Sequence, residues 1–356
     1  MSDAALDLRS SVEWAVREHQ ARIAAEPFDF ESYHALFELY DGAGMVDESW
    51  CVASVLSFLK KATPRELSCV QRHRTPGLVR AKSSLSDEVL RRHVTHPDEN
   101  LLVTCILGLI APAVAGWRAV ELPKTLRPEE RIGLDDPSLL VRTTKYVRGV
   151  LDLTAPELFL RPGDRGDCSL MDIKRAGRLR PTMVVFGDLL SGHTEPELAF
   201  ALGRLMMDLY APRFCLVALD RSPQAVKQVL LACLQWVGLP VQGDRAALGQ
   251  IGREIVGRMP EEARGQLRSL IERLIEQSPR VDIKQWIAAS ELTAYRVALL
   301  LGGNHRIAGR MISQEQPGLG VAGTISPRQK ITELVLYGIS DDYFAARQSL
   351  GIHVGD

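Results

Sequence analysis

The spacing of apolar residues predicts a chain that is mostly helical, with a small β-region in its second half. Apolar positions recur every three to four residues over long stretches, and proline or glycine interrupts them where helices would end. The predicted helices cover residues 5–25, 30–43, 47–62, 86–94, 138–151, 195–210, 223–237, 244–258, 260–277 and 283–301. Two shorter runs, residues 157–161 and 182–186, predict strands. Because strands come early in the second half of the chain and only helices follow them, the pattern indicates an α+β fold, mostly helical, rather than a doubly wound sheet.

The first 62 residues are predicted to form helical hairpins, and part of them resembles one tetratricopeptide repeat. Tyr33, Leu36 and Tyr40 lie where that repeat packs its first helix. Phe37 stands where the repeat has a small residue, and no second copy follows in register. A plain helical hairpin therefore remains an equal alternative.

Changes in composition divide the chain into three regions. Residues 1–62 form the hairpins, residues 63–137 form a further helical region with a linker, and residues 138–356 form a second domain. The linker, residues 118–137, is rich in charge and contains three prolines. Three short helices lack a sufficient core of their own. We therefore expect the hairpins to dock on another region and to bury Trp50 and Phe58.

Composition excludes several classes of protein. With 46% hydrophobic and 24% charged residues, the chain is typical of a folded globular protein. Its 43 basic and 44 acidic residues give a net charge of -1, which argues against a nucleic-acid partner. The six cysteines are scattered without a CxxC pair, which is typical of reduced thiols in a cytoplasmic protein. The first residues lack an apolar run, so we expect no signal peptide.

The longest apolar run, residues 101–116, predicts a buried core helix. It is shorter than the roughly 20 residues that a spanning helix needs, and Pro112 interrupts it. We therefore expect no membrane contact.

His93 and His96 have a spacing that suits a metal, but no third ligand is near in sequence. We expect both to be exposed polar residues at a helix end.

The predicted helix 195–210 carries an unusual charge pattern. Thr194 and Glu197 have the spacing of a capping box, which gives Glu197 a structural role. The rest of the helix is apolar on nearly all sides, and its one polar stripe contains Glu197, Arg204 and Asp208. A helix of this kind is buried. Its charged stripe must therefore face a cleft or an internal ionic partner, because unpaired buried charge is costly.

The segment around this helix resembles the strand, loop and helix of the gluzincin metallopeptidases, which include the CAAX prenyl proteases and the membrane protease HtpX. The segment reads MVVFGDLLSGHTEPELAFALGRLMMDLY and matches the family at Leu189-Leu190, Glu197-Leu198 and Leu202-Gly203. In this alignment, Arg204, Leu205 and Asp208 stand at the HExxH positions. The resemblance therefore implies that both zinc-binding histidines and the general base of the family are replaced.

Two later segments fit the same alignment. The family supplies a zinc-binding glutamate from an ExxAD pattern on a later helix, and residues 291–295 read ELTAY. Glu291 stands at the ligand position, and Tyr295 replaces the aspartate. A weaker match is Ser326-Pro327, where the family often has His-Pro. The resemblance covers residues 138–335 and implies a zincin-like domain with a small sheet and a central helix.

The substitutions imply that zinc hydrolysis is lost. Arginine cannot ligate a metal because it stays protonated, and leucine cannot act as a general base. We therefore predict no catalytic residue, no metal and no cofactor, and a non-catalytic protein-binding or scaffold protein whose protein partner the sequence does not name. Two alternatives stay open: a structural subunit of a larger assembly, and a hydrolase with a non-zinc mechanism. Such a hydrolase would use His193 or His305 beside a nucleophile, although no GxSxG motif is present.

The sharpest hypothesis concerns the former metal position. The planar Arg204 guanidinium suits two carboxylates at once, and Asp208 follows it by one helical turn. We therefore predict an Asp208–Arg204–Glu291 ionic cluster, with a further hydrogen bond from Tyr295. Arg347 is expected at the surface. In the family the edge strand of the sheet binds extended substrate, and we expect such an edge here, either open or covered by a loop from residues 163–180. The basic residues between 174 and 180 are expected to form a solvated hairpin.

Overall fold

The computed structural model describes residues 3–121, 126–175, 178–190, 192–277, 280–315 and 325–355. Within them the α-helices are α1 (Asp3–Ala25), α2 (Phe30–Gly42), α3 (Val46–Phe58), α4 (Pro64–Arg72), α5 (Asp87–Val89), α6 (Leu101–Arg118), α7 (Leu139–Val150), α8 (Gly187–Leu190), α9 (Glu195–Met206), α10 (Ala211–Ala218), α11 (Pro223–Val237), α12 (Arg245–Val256), α13 (Glu261–Gln277), α14 (Ile283–Gly302), α15 (His305–Gln314), α16 (Pro327–Tyr337) and α17 (Asp341–Leu350). A π-helix (Leu90–Val94) continues α5, and 3₁₀ turns lie at Pro128–Glu130 and Met207–Leu209. The strands are β1 (Val120–Glu121), β2 (Arg131–Ile132), β3 (Glu157–Arg161), β4 (Cys168–Arg175) and β5 (Arg178–Phe186). The fold is α+β and mostly helical, which confirms the predicted class.

Local capping explains why many helices begin where the sequence predicts. α7 starts after Ser138, whose hydroxyl accepts the Val141 amide, and α11 starts after Ser222, whose hydroxyl accepts the Ala225 amide. α11 ends at Gly238, where φ is 96°, a conformation that glycine adopts without steric cost. These boundaries depend on residues next to the helix ends, so the sequence alone predicts them.

The end of the predicted helix 195–210 is wrong, and besides the four-residue α8, four helices lie outside the predicted helical regions. α9 stops at Met206, a 3₁₀ turn follows, and α10 begins at Ala211. α15, α16 and α17 occupy the last part of the chain, where we predicted no helix. These four helices have 8 to 11 residues. Helices of this length are marginal alone, so tertiary packing stabilises them.

The five strands form one mixed sheet in the order β1-β4-β5-β3-β2. β3 pairs in parallel with β5, with Glu157 opposite Thr182, so the two predicted strands are confirmed as neighbours. The segment 163–180, expected as a loop, instead contains β4, which forms an antiparallel hairpin with β5. The linker 118–137 supplies β1 and β2, the two short outer strands. Two-residue strands are stabilised by cross-strand contacts that local sequence does not encode.

Two large hydrophobic clusters form the interior, and they cross the predicted boundaries at residues 62 and 137. The first cluster combines the N-terminal helices, α7, the sheet, α9, the second half of α14 and the C-terminal helices. The second combines α6 with α10, α11, α12, α13 and the start of α14. α6 therefore packs with helices that lie more than a hundred residues later in the chain. α14 contributes to both clusters and joins them.

α6 is the apolar segment predicted to be a core helix. It is long and apolar enough to cross a bilayer, and half of it is buried within the protein. Its Ile106, Leu107 and Ile110 are almost fully buried in the second cluster. The packing of this face on α10 and α13 agrees with the predicted role in the core.

The N-terminal hairpins dock on the C-terminal helices, as predicted, although Trp50 and Phe58 are only partly buried there. Arg347 of α17 forms a two-pronged ion pair with Asp47 of α3, at 2.7 Å and 2.9 Å. The Asp47 carboxylate also accepts the Val354 amide at 2.8 Å. Arg347 is only 2% exposed, so its expected surface position is wrong. It is buried because α17 packs against α3, a contact between distant parts of the chain.

The predicted exposed pair of histidines is also tied to the C-terminal helices. His93 lies 2.9 Å from Asp342, and His96 lies 3.5 Å from Glu333. The same Glu333 accepts a hydrogen bond from Arg296 at 2.7 Å. Both histidines therefore contact carboxylates of the C-terminal helices rather than projecting freely from a helix end.

We predict that Arg347→Ala lowers the free energy of unfolding by about 3–5 kcal/mol, because it removes a buried guanidinium and leaves the partly buried Asp47 without its cation. Urea unfolding at neutral pH measures the loss. Arg328→Ala is the matched control, since Arg328 is exposed on α16, and surface changes usually stay within about 0.5 kcal/mol. Equal losses in the two variants would contradict the docking role of Arg347.

Candidate functional site

The close packing of α9 against α14 positions the candidate site. A Cβ on Gly203 would lie 2.9 Å from a methyl carbon of Leu301, and one on Gly302 would lie 2.7 Å from the Phe200 Cβ. Both distances are shorter than side-chain carbons tolerate, so glycine at these positions permits the approach. Polar groups on the facing sides of the two helices are consequently buried.

The start of α9 is fixed by the predicted capping box. The Thr194 amide and hydroxyl each donate to a Glu197 carboxylate oxygen at 2.8 Å. The second oxygen of Glu197 lies 2.8 Å from the Arg310 guanidinium of α15. Burial raises the pKa of Glu197, but the Thr194 hydrogen bonds and Arg310 outweigh burial and lower it. Glu197 is therefore a structural carboxylate that joins α9 to α15.

Asp208 belongs to an ionic cluster of its own at the end of α9. It is 1% exposed, and its carboxylate lies 2.7 Å from Arg213 and 2.5 Å from Arg221. Burial would raise its pKa, but the two guanidinium groups prevail and lower the pKa to about 2. Arg213 also donates to the Ser290 hydroxyl at 3.0 Å, which ties this cluster to α14.

The predicted contact between Asp208 and Arg204 is replaced by these pairs. α9 ends before Asp208, and the 3₁₀ turn that follows has a different rotation per residue. The stacking of residues four apart, on which the prediction depended, therefore does not continue to Asp208. Arg213 and Arg221 come from α10 and the turn after it, elements that the sequence analysis did not predict.

Glu291 also has a different partner from the one predicted. Its carboxylate lies 3.1 Å from the Lys330 ammonium of α16. The same ammonium donates to the Tyr295 hydroxyl at 2.8 Å and to Glu315 at 2.8 Å. An ammonium has three donors, and three oxygens surround this one. Glu291, Tyr295, Glu315 and Lys330 are called the ammonium cluster below.

Arg204 lies beside the ammonium cluster. Its guanidinium is 3.5 Å from Glu315 and 3.5 Å from Asp167, and it stands over the Tyr295 ring at 5.7 Å. The Tyr295 hydroxyl donates to Glu315 at 2.5 Å, rather than to a member of the predicted cluster. Of the four predicted residues, Arg204, Glu291 and Tyr295 thus belong to one network, although Arg204 and Glu291 are linked through Glu315 and Lys330.

The sequence analysis missed the residue at the centre of this network. Lys330 is 7% exposed and lies four residues before buried Leu334, so it occupies the apolar face of α16. A lysine on the apolar face of a helix is a signal of a buried ionic partner. It also follows Ser326-Pro327, the weak match to the family pattern, within one turn. Glu315 and Asp167, in contrast, stand in irregular segments without a recognisable pattern.

A cleft of about 370 Å³ opens next to Arg204. α9 lines it with Phe200, Ala201 and Arg204, and the other described lining residues are Gly166, Asp167, Asp188, Gly192, His193, Arg310, Met311, Gln314 and Glu315. Burial raises the pKa of Asp167, and Arg204 opposes this shift. The cleft thus combines an apolar wall from α9 with charges of both signs.

Neither Cys168 nor His305 is suited to nucleophilic chemistry, because the thiol is neutral and the imidazole is a buried, weak base. Burial raises the pKa of the Cys168 thiol to about 12, so it is neutral at physiological pH. Burial lowers the pKa of His305 to about 4, and its ring donates to the Leu334 carbonyl at 2.8 Å. His193 donates to the Asp188 carbonyl at 3.0 Å and lines the cleft. Within the described part of the chain, no group of three His, Cys, Asp or Glu side chains is placed to hold a metal ion.

Comparisons of the chain with protein families, with curated proteins and with solved structures find no match. The geometry of the described residues therefore carries the functional argument.

We predict that Lys330→Met destabilises the fold by about 3–5 kcal/mol near pH 8, because it leaves Glu291 buried without its cation. Burial raises the pKa of Glu291 even beside Lys330. The folded variant therefore binds a proton more tightly than the unfolded chain, and its stability increases as pH falls. Urea unfolding near pH 8 and near pH 5 should show a smaller difference from wild type at the lower pH.

The double variant Lys330→Met with Glu291→Gln is the matched control. Removing both charges should recover part of the lost stability near pH 8, since no ionised Glu291 remains. Losses that are independent of pH and unaffected by Glu291→Gln would contradict the ionic role of Lys330.

Proposed function

We propose that this chain is a non-catalytic protein-binding or scaffold protein, built on a pseudo-metallopeptidase domain of the gluzincin type. One observation carries the proposal. The Lys330 ammonium lies within 3.1 Å of Glu291, the residue that the resemblance equates with the metal-binding glutamate. A side-chain cation stands beside this carboxylate, and Tyr295 and Glu315 complete its hydrogen bonds.

The order of the elements supports the same proposal. β5 leads through the short α8 to the buried helix α9, and α14 carries Glu291 against α9. This is the sequence of strand, central helix and later ligand-bearing helix that the resemblance implies. The small sheet, whose Leu158, Met183 and Val185 belong to the same hydrophobic cluster as α9, agrees with a zincin-like arrangement as well.

The side chains at the HExxH positions supply no hydrolytic chemistry. Arg204 stays protonated and cannot ligate zinc, and Leu205, 5% exposed, offers no base. Asp208 is held by two arginines, at 2.7 Å and 2.5 Å, in a separate cluster. An ammonium neutralises Glu291 but cannot lower the pKa of a bound water to near neutrality, as catalytic zinc does.

The cleft supports a role in binding. It keeps an apolar wall on α9, and its rim offers Arg310 and Gln314 from α15. An extended segment of a partner protein can use such a surface without being cleaved. The docked N-terminal hairpins add a second surface that peptide-binding helical hairpins commonly provide.

His193 favours a second candidate, a hydrolase without zinc. Its ring donates to the Asp188 carbonyl, which leaves the other ring nitrogen to act as a base in the neutral form. Its Nδ1 is buried and accepts no hydrogen bond within the described part of the chain. A base oriented in this way is one component of a nucleophilic site.

We expect the purified full chain to lack stoichiometric zinc, to show no hydrolysis of a casein or peptide-library substrate, and to keep its melting temperature in EDTA. A ligand that binds only the folded state raises stability by mass action, so added zinc should shift the melting temperature by less than about 1 °C. Elemental analysis, a protease assay and calorimetry measure these outcomes. Stoichiometric zinc together with a lower melting temperature in EDTA would contradict the proposal, and hydrolysis without metal would favour the His193 alternative.

Site-specific photo-crosslinking in the native host tests binding at the cleft. A benzoylphenylalanine in place of Gln314, which lines the cleft, should capture a defined protein partner. The same group in place of Gln266, exposed on α13, is the control and should not capture it. Filling the cleft with Met311→Trp should reduce the adduct at position 314. Equal capture from both positions, or an adduct unaffected by Met311→Trp, would contradict binding in the cleft.

A further inference from the structure

A second cavity lies between the N-terminal hairpins and the C-terminal half of the chain. It has a volume of about 400 Å³ and is lined by α3 and α4 on one side and by the junction of α14 and α15 on the other. Its described lining shares no residue with the cleft beside Arg204. We call it the hairpin cavity.

The charges around the hairpin cavity are of one sign. Arg74 and Arg306 line it, with His73 nearby, and none of its described lining residues is an aspartate or glutamate. Both arginines are exposed at the rim. In contrast, the third arginine of the lining, Arg347, already pairs with Asp47. The cavity therefore offers two rim cations to an anion.

Two buried donors on α3 point to the kind of group that the cavity accepts. The indole nitrogen of Trp50 and the hydroxyl of Ser54 are shielded from solvent, and neither has a hydrogen-bond partner within the described part of the chain. Both residues line the cavity. The indole N–H can only donate, and an unsatisfied buried donor costs about 1–3 kcal/mol. Oxygen acceptors of a ligand would satisfy both groups.

The two donors and an aromatic ring form one stripe along α3. Trp50, Ser54 and Phe58 are successive residues four apart, so they lie on the same face of the helix. All three line the cavity. The Phe58 ring packs on Gly309, where a Cβ would come within 2.7 Å of a ring carbon. The stripe thus offers hydrogen-bond donors at one end and an apolar surface at the other.

We propose that the hairpin cavity binds a small amphiphilic anion, in which a carboxylate or phosphate monoester is attached to an apolar chain. The oxyanion receives hydrogen bonds from Trp50 and Ser54 and the charge of Arg74 and Arg306, and the chain lies against Phe58. A purely apolar ligand would leave the two donors unsatisfied, and inorganic phosphate alone would leave the aromatic surface unused. This inference is independent of the cleft and of the proposed function.

Titration of the ¹⁵N-labelled full chain, followed by NMR, tests the proposal. The Trp50 indole N–H signal is identified by its loss in Trp50→Phe. Octyl phosphate and octanoate are the two probes, and 1-octanol and inorganic phosphate are their uncharged and tail-free counterparts. We expect a saturable shift of the Trp50 signal with octyl phosphate, octanoate or both, and binding at least about tenfold weaker with each counterpart. The tighter of the two probes identifies the anionic group.

The double variant Arg74→Gln with Arg306→Gln should weaken binding of the better probe by about tenfold or more, since each charge-assisted hydrogen bond contributes strongly. Both residues are exposed, so the variant should fold. Arg328→Gln, with Arg328 exposed on α16, is the matched control and should bind as wild type does. Absence of a saturable shift with either probe, equal binding of 1-octanol, or an unchanged dissociation constant in the double variant would overturn the proposal.

Discussion

A buried carboxylate between two closely packed helices is the constraint on which the rest of the structure depends. Glu291 is 2% exposed, and its charge is too costly to bury alone. The cation comes from α16, whose Lys330 must reach α14. This requirement fixes α16 and the segment around Glu315 against α14. The Lys330–Glu291 pair therefore adds an ionic link between α14 and α16 to the hydrophobic contacts that hold the C-terminal helices.

The same helix pair separates two ionic networks. In the first network, Lys330, Glu315 and Arg204 surround the Tyr295 hydroxyl and ring. In the second network, Asp208 pairs with two arginines from the α10 region. Each buried carboxylate of the two networks has a cation beside it, and Asp208 has two, so none is buried as an unpaired charge. The cleft opens where the first network reaches solvent, at Arg204 and Glu315. Its polarity is therefore a consequence of the network that stabilises the helices.

The docking of the N-terminal hairpins also depends on the pairing of a buried charge. Arg347 is almost fully buried and takes its counter-charge from Asp47, three hundred residues earlier in the chain. Its guanidinium also stands over the Trp50 ring at 4.8 Å, a favourable cation–π arrangement. The ion pair holds α3 against α17 but does not fill the space beside it. The hairpin cavity, with its unsatisfied donors on α3, is the result.

The sequence by itself determined those features that depend on neighbouring residues. The caps at Ser138 and Ser222, the capping box of Thr194 and Glu197, and the strand at residues 182–186 are all encoded within a few positions of where they act. The need for an ionic partner near Arg204 and Glu291 also followed from apolar surroundings in the sequence. Only the tertiary structure decided which partner each charge received. Lys330, Arg213 and Arg347 meet their carboxylates through contacts between separate elements, and ion pairs depend on distances that a linear pattern does not contain.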